Sequence, residues 1–112
     1  MMKLINRGYL IIKQKQPFWD WANSVDPEME FNEEDQMEPN IYLIAEDFFE
    51  EDSLIESYYK KIFQAELMAV TEDKDIWPRE INLALFENWF STIAIGSTVI
   101  DLEKGNIQSF DF

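Results

Sequence analysis

Carboxylates dominate the side chains that could do chemistry in this sequence. Its 112 residues include 23 Asp and Glu against 9 Lys and Arg, a formal net charge of −14, with no His and no Cys. The charge is confined to one stretch. Residues 16–59 hold fourteen acids and not one base, while the remainder is neutral, with nine acids and all nine bases. Clustered like charge speeds encounter with an opposite partner and makes binding sensitive to salt. The first chemistry this suggests is docking on a basic protein, in an inhibitor, immunity-like or adaptor role. The same stretch also reads as a solvated, solubilising loop, because blocks of like charge are commonly no more than that.

Three other uses of the acids are weaker. A divalent cation needs several oxygens at fixed geometry. Asp26-Pro27-Glu28-Met29-Glu30 alternates acids but departs from the EF-hand loop: it has no glycine at the sharp turn, and the twelfth position is Met37. A small hydrolase or lyase working with carboxylates alone needs two acids in one pocket, one of them buried. Asp20 with Glu66 is such a pair in principle, but nothing in their spacing brings them together. Glu66 is the acid out of place, since it lies among Ile62, Phe63, Ala69 and Val70 on an apolar helical face. The bland reading pairs it with an indole N–H, Arg7, Lys13 or Arg79; the sharp one makes it an acid/base group.

What is absent excludes more. Without Cys there are no disulfides or thiolate metal sites, and without His there are no zinc fingers, Ser-His-Asp triads or imidazole catalysis. Gly8, Gly96 and Gly105 are isolated, so no phosphate loop exists. Lys3, Arg7, Lys13 and Lys15 are too few, and too close to acids, for a nucleic-acid surface. No cofactor is expected. No run approaches the roughly 18 apolar residues of a membrane span. The start reads as a strand rather than a signal peptide, and a cytoplasmic location is expected.

The elements that must position these groups follow from periodicity. An almost continuous apolar strand covers 8–13. Pro17 suits a first helical position, and Phe18, Trp21, Ala22 and Val25 repeat at helical spacing, giving a helix over 17–25 that Asp26-Pro27 ends. Residues 26–39 form an acidic loop, with Met29, Phe31 and Met37 placed to pin it and Asn32 placed to cap one turn. A second strand covers 41–45. Ser53 with Glu56 reads as a capping box opening a helix over 53–71. Trp77-Pro78 reads as the start of a third helix, whose stripe is Ile81, Leu85, Phe86, Trp89, Phe90 and Ile93. A last strand covers 94–103, and 106–112 forms an edge strand or a tail. Most tryptophans fall on core stripes. Trp19 lies about 100° from Phe18, away from the Trp21–Val25 line, so an exposed indole beside the acidic loop is expected there, a suitable interface anchor.

Several segments also resemble a known group. They are Lys15-Gln16-Pro17-Phe18-Trp19-Asp20-Trp21-Ala22-Asn23, Tyr42-Leu43-Ile44, Tyr59 with Ile62-Phe63, Trp77-Pro78, Phe86 with Trp89-Phe90, and Asp101-Leu102. Together they resemble small acidic bacterial proteins that carry no assigned activity. The resemblance implies one compact α+β domain and lends no catalytic residue.

The expectation is therefore a single α+β domain over 1–112, in the order β-α-β-α-α-β. Its sheet is small and largely antiparallel, of three or four strands, with helices mainly on one face. The expected function is non-enzymatic docking on a basic protein partner through Glu33, Glu34, Asp35, Glu46, Asp47, Glu50, Glu51 and Asp52, with Trp19 as anchor. An obligate subunit or homodimer is the third reading.

Overall fold

A computed structural model describes residues 2–36, 38–47 and 50–112, with the side chains of Glu51 and Asp52 left out. Alternation of apolar residues on a pleated strand is the first organising pattern. Gly8–Gln14 (β2) is buried at every second position, which turns Leu10, Ile12 and Gln14 inward. Asn40–Ile44 (β3) runs antiparallel to it, with Tyr42 opposite Leu10 and Ile44 opposite Gly8. Phe90–Gly96 (β4) pairs with the other side of β2, so the strand order is β3-β2-β4. A separate antiparallel pair joins Lys3–Ile5 (β1) to Val99–Asp101 (β5). Because β1 leads into β2 and β4 into β5, the two pairs together form one long ribbon, interrupted at residues 6–7 and 97–98.

Three helices cover one face of the three-stranded sheet. Gln16–Val25 (α1) begins with Pro17 in its first turn, as the sequence suggests. Glu51–Val70 (α2) is the longest of the three α-helices and Leu83–Trp89 (α3) the shortest, with a 3-10 turn at Lys74–Ile76 between them. Their apolar faces meet Leu10, Ile12, Ile44 and Phe90 in a core rich in aromatic rings. Phe63 is fully buried and touches three of them: Trp89 at 5.4 Å, Phe90 at 5.1 Å edge-on, and Phe86 at 6.2 Å between centroids. Phe18 stands edge-on to Trp19 at 5.0 Å and packs on Phe90 at 5.3 Å. Among the described residues no helix covers the opposite face of the sheet, and Ile41, Leu43 and Ile93 there are 64%, 52% and 53% exposed.

The α+β class is as expected, with antiparallel sheets of two and three strands, but several boundaries differ. The third helix does not start at Pro78. Asn82 caps it, its side-chain oxygen accepting from the Leu85 N–H at 2.8 Å. Nor does that helix reach Ile93. Phe90 has extended dihedrals (φ −137°, ψ 149°), and the chain continues as β4. Ile93 is the extra residue of a bulge, since Ile11 faces Ala94 while Ile12 faces Thr92. The single strand expected over 94–103 is instead the end of β4 followed by β5. Ser53 and Glu56 form no capping box. The helix begins earlier, with Glu50 at its N-cap, and Ser53 Oγ donates to Glu50 Oε2 at 3.3 Å. Residues 106–112 form neither helix nor strand and are exposed. The radius of gyration, 15.6 Å, exceeds the roughly 13 Å of a compact chain this long, consistent with an elongated 46 × 31 × 27 Å body.

The aromatic junction sets the stability of this arrangement. Replacing Phe63 by Ala should lower the unfolding free energy by about 3–5 kcal/mol in urea titrations, because neighbouring rings on two elements cannot collapse into the space. A loss under about 1 kcal/mol would show that the ring cluster is loosely packed.

Candidate functional site

Glu66 is the most unusual side chain in the structure. It sits on the inner face of α2 and is 2% exposed. Its Oε1 accepts from Gln14 Nε2 at 2.5 Å. Its Oε2 accepts from Asn40 Nδ2 at 2.6 Å and from the Tyr42 hydroxyl at 2.5 Å. Both oxygens accept and neither donates, the role of an ionised carboxylate. Burial of such a group is tolerated when its lone pairs are met, and here neutral donors from two strands meet them. None of the partners considered from the sequence, an indole, Arg7, Lys13 or Arg79, is among these donors.

The phase of the strands places those donors. Gln14 follows Leu10 and Ile12 on the inward face of β2. Asn40 and Tyr42 share the phase of Ile44, the buried residue of β3. Glu66 thus ties the end of the central strand to the neighbouring strand and the long helix. For Tyr42, burial first, then the negative charge of Glu66 and the hydrogen bond to it, hold the hydroxyl well above the ordinary tyrosine value.

Beside this cluster lies a groove of about 910 Å³. One wall is β3. Residues from both of its faces contribute, Ile41 and Leu43 as well as Tyr42 and Ile44, so the groove runs along the strand's outer edge. The other wall is a stripe on α2, formed by Tyr58, Ile62, Ala65 and Ala69 at helical spacing. Among the described residues β3 pairs only with β2, on its other side. The Ala45 N–H points away from β2, to the Tyr58 hydroxyl at 3.3 Å. Strand alternation then directs the N–H groups of Leu43 and Ile41 toward the groove as well.

The acids expected to bind a partner have different surroundings. Glu33 is half-buried and locked to the start of α1: its Oε2 accepts from the Gln16 N–H at 3.2 Å, and its own N–H donates to Gln16 Oε1 at 3.0 Å. Asp35 is exposed, and its Oδ2 accepts from Asn32 Nδ2 at 2.8 Å. Glu34, Glu46, Asp47 and Glu50 are exposed. The side chains of Glu51 and Asp52 lie outside the described residues, as does Met37, expected to help pin the loop. Met29 and Phe31 are half-buried. Asn23 fixes Phe31 by a reciprocal pair of hydrogen bonds, at 2.6 and 3.0 Å.

Trp19 is not the free indole expected of an anchor. It is half-buried, with Nε1 enclosed, and packs edge-on against Phe31 at 5.4 Å. Asp20 is exposed and accepts from Gln16 Nε2, so the structure does not assemble it with Glu66. Among the described residues no group of three acids is placed to hold a metal ion. No described helix is long and apolar enough to cross a membrane.

Two measurements check the Glu66 cluster. Glu66→Ala should cost about 2–4 kcal/mol in urea unfolding, because it strands the buried Gln14 amide. Glu66→Gln should cost less, since the Asn40 amide can turn and the Tyr42 hydroxyl can accept. The second measurement is alkaline unfolding. Tyr42 keeps its proton in the fold but ionises near pH 10 once unfolded. Its contribution is present below about pH 10 and is lost as pH rises beyond that. The stability gap between wild type and Tyr42→Phe should therefore narrow as pH climbs above 10.

No protein-family model, curated protein or solved structure matches this chain.

Proposed function

We propose that this protein is a non-enzymatic interaction module that accepts an extended, basic segment of a partner protein along the outer edge of β3. The observation that carries this reading is the position of the acids relative to that edge. Exposed Glu38 precedes β3, and exposed Glu46 and Asp47 follow it. An unpaired edge with a groove beside it suits strand addition, in which main-chain hydrogen bonds supply affinity and side-chain pockets supply choice. Carboxylates at both ends would then select lysine or arginine and repel acidic segments. The five residues of β3, Asn40–Ile44, would pair with a short incoming strand, apolar at its centre and basic at its ends.

A carboxylate-only hydrolase is the second reading, because Glu66 and Glu72 both line the groove. It is the weaker one. Both oxygens of Glu66 are already held by neutral donors. Such contacts suit a fixed structural charge better than a proton shuttle.

The test uses a synthetic Lys-Thr-Val-Ile-Val-Thr-Lys peptide, with a Glu-flanked version as control. The Lys-flanked peptide should bind, weaken with added salt, and lose about tenfold affinity when Glu38, Glu46 and Asp47 are changed to Gln, Gln and Asn. Leu43→Pro, which removes an edge N–H without touching the β2 ladder, should abolish binding while leaving the far-UV circular dichroism unchanged. Equal binding of both peptides, or full binding by Leu43→Pro, would contradict the proposal.

A further inference from the structure

The chain carries 23 acids, yet β2, β3 and β4 contain none, and Lys13 is their one charged residue. The inner face of these strands meets the helices. The outer face is apolar and, among the described residues, uncovered, with Ile41, Leu43 and Ile93 each more than half exposed. A contiguous apolar patch of this kind marks a contact surface.

That face has relief as well as apolar character. On the β3 side of β2 lies a hollow of about 240 Å³, lined by Tyr9, Ile11, Ile41, Leu43, Thr98 and Val99. The Tyr9 ring lies across Gly96 of β4, where any side chain would overlap it. The missing Cβ draws the ring toward β4 and leaves the hollow between β2 and β3 open. On the β4 side of β2 stands Ile93, the extra residue of the bulge, which the broken alternation pushes outward. One face thus carries an apolar knob on one side of its central strand and an apolar hollow on the other.

We propose that the outer face of the three-stranded sheet binds a second copy of this chain, as a two-fold dimer packed sheet on sheet. A two-fold contact sets the same surface against itself, so each Ile93 enters the hollow of the other copy. The axis then passes near Ile11 and Ala94, which stand opposite each other at the middle of the sheet. Charge selects the occupant. A chain of net charge −14 repels a second copy from its acidic sides, whereas the strands without acids let two copies meet with no carboxylates opposed. A basic partner, by contrast, gains nothing from a surface that lacks acids. Packing on this face uses side chains and leaves the outer backbone edge of β3 unpaired, so the dimer stands whether or not a peptide docks at that edge.

Sedimentation equilibrium of the free chain is the test. The mass should rise with concentration from 13.4 kDa toward twice that value and stop there. Added sodium chloride should tighten the dimer at least about threefold, because it screens the acids around the rim; this is opposite in sign to the effect on peptide binding. Ile93→Lys should weaken the dimer at least about tenfold, since two-fold symmetry buries the new ammonium twice. Ile100→Lys is the control. Ile100 is about as exposed as Ile93 but, next to Val99 on its strand, points away from the hollow, so the dimer should be unchanged. A mixture of ¹³C-labelled and unlabelled chains decides the matter even if a variant unfolds: isotope-filtered spectra should show contacts from the Ile93 methyls of one copy to Leu43 and Val99 of the other. Four results would overturn the proposal: a monomer at millimolar concentration, assembly that grows past the dimer, a dimer that salt weakens, or an undiminished dimer in folded Ile93→Lys.

Discussion

A buried carboxylate with three neutral donors holds the functional half of this molecule together. Charge in a protein interior is costly unless every lone pair is met. At Glu66 the meeting groups come from the last residue of β2 and from two inward positions of β3. β3 is an edge strand, paired on one side, and edge strands are the least constrained part of a sheet. Glu66 anchors this one to the long helix through side chains while leaving its backbone edge unpaired. The groove between strand and helix follows from that arrangement: side-chain hydrogen bonds set its floor, and Ala65 and Ala69 on α2 keep it wide.

The aromatic core does a different job. Phe63, Phe86, Trp89 and Phe90 clasp the helix–strand junction where α3 passes directly into β4. Lys15 reinforces that point, its backbone N–H donating to the Trp89 carbonyl at 2.8 Å and its ammonium to the Glu87 carbonyl at 3.1 Å. Large rings supply the burial that lets a chain of net charge −14 fold, because most of its repulsion falls on the loops that bracket β3 and not on this core. The acidic loop is tied back to α1 at two points. Gln16 and Asn23 on α1 each hold it by a reciprocal pair of hydrogen bonds to Glu33 and Phe31.

Much of the fold was legible where pattern and local chemistry agree. Pro17 with Phe18 and Ala22 reads as α1, and the apolar run at 9–12 reads as a central strand. The third helix misreads for a physical reason. Phe86 and Phe90 are four residues apart, so the apolar stripe continues across a junction that no glycine or proline marks. The bulge at Ile93 then keeps the strand's inward residues, Phe90, Thr92 and Ile95, off strict alternation. Asn82 was the better start signal, hidden by the more conspicuous Pro78. At the site, Glu66 stands out in sequence because an acid interrupts an apolar helical face. Its partners do not, since they lie 52, 26 and 24 residues away and only strand pairing brings them together.

Amide hydrogen exchange along β3 tests the central claim, that a carboxylate-anchored edge strand offers its outer backbone to a partner. In the free protein Tyr42 and Ile44, bonded to β2, should exchange slowly, and Ile41 and Leu43, directed to the groove, should exchange fast. Saturation with the Lys-flanked peptide should slow Ile41 and Leu43 selectively. Fast exchange at all four in the free protein, or peptide binding that leaves Ile41 and Leu43 unprotected, would contradict it.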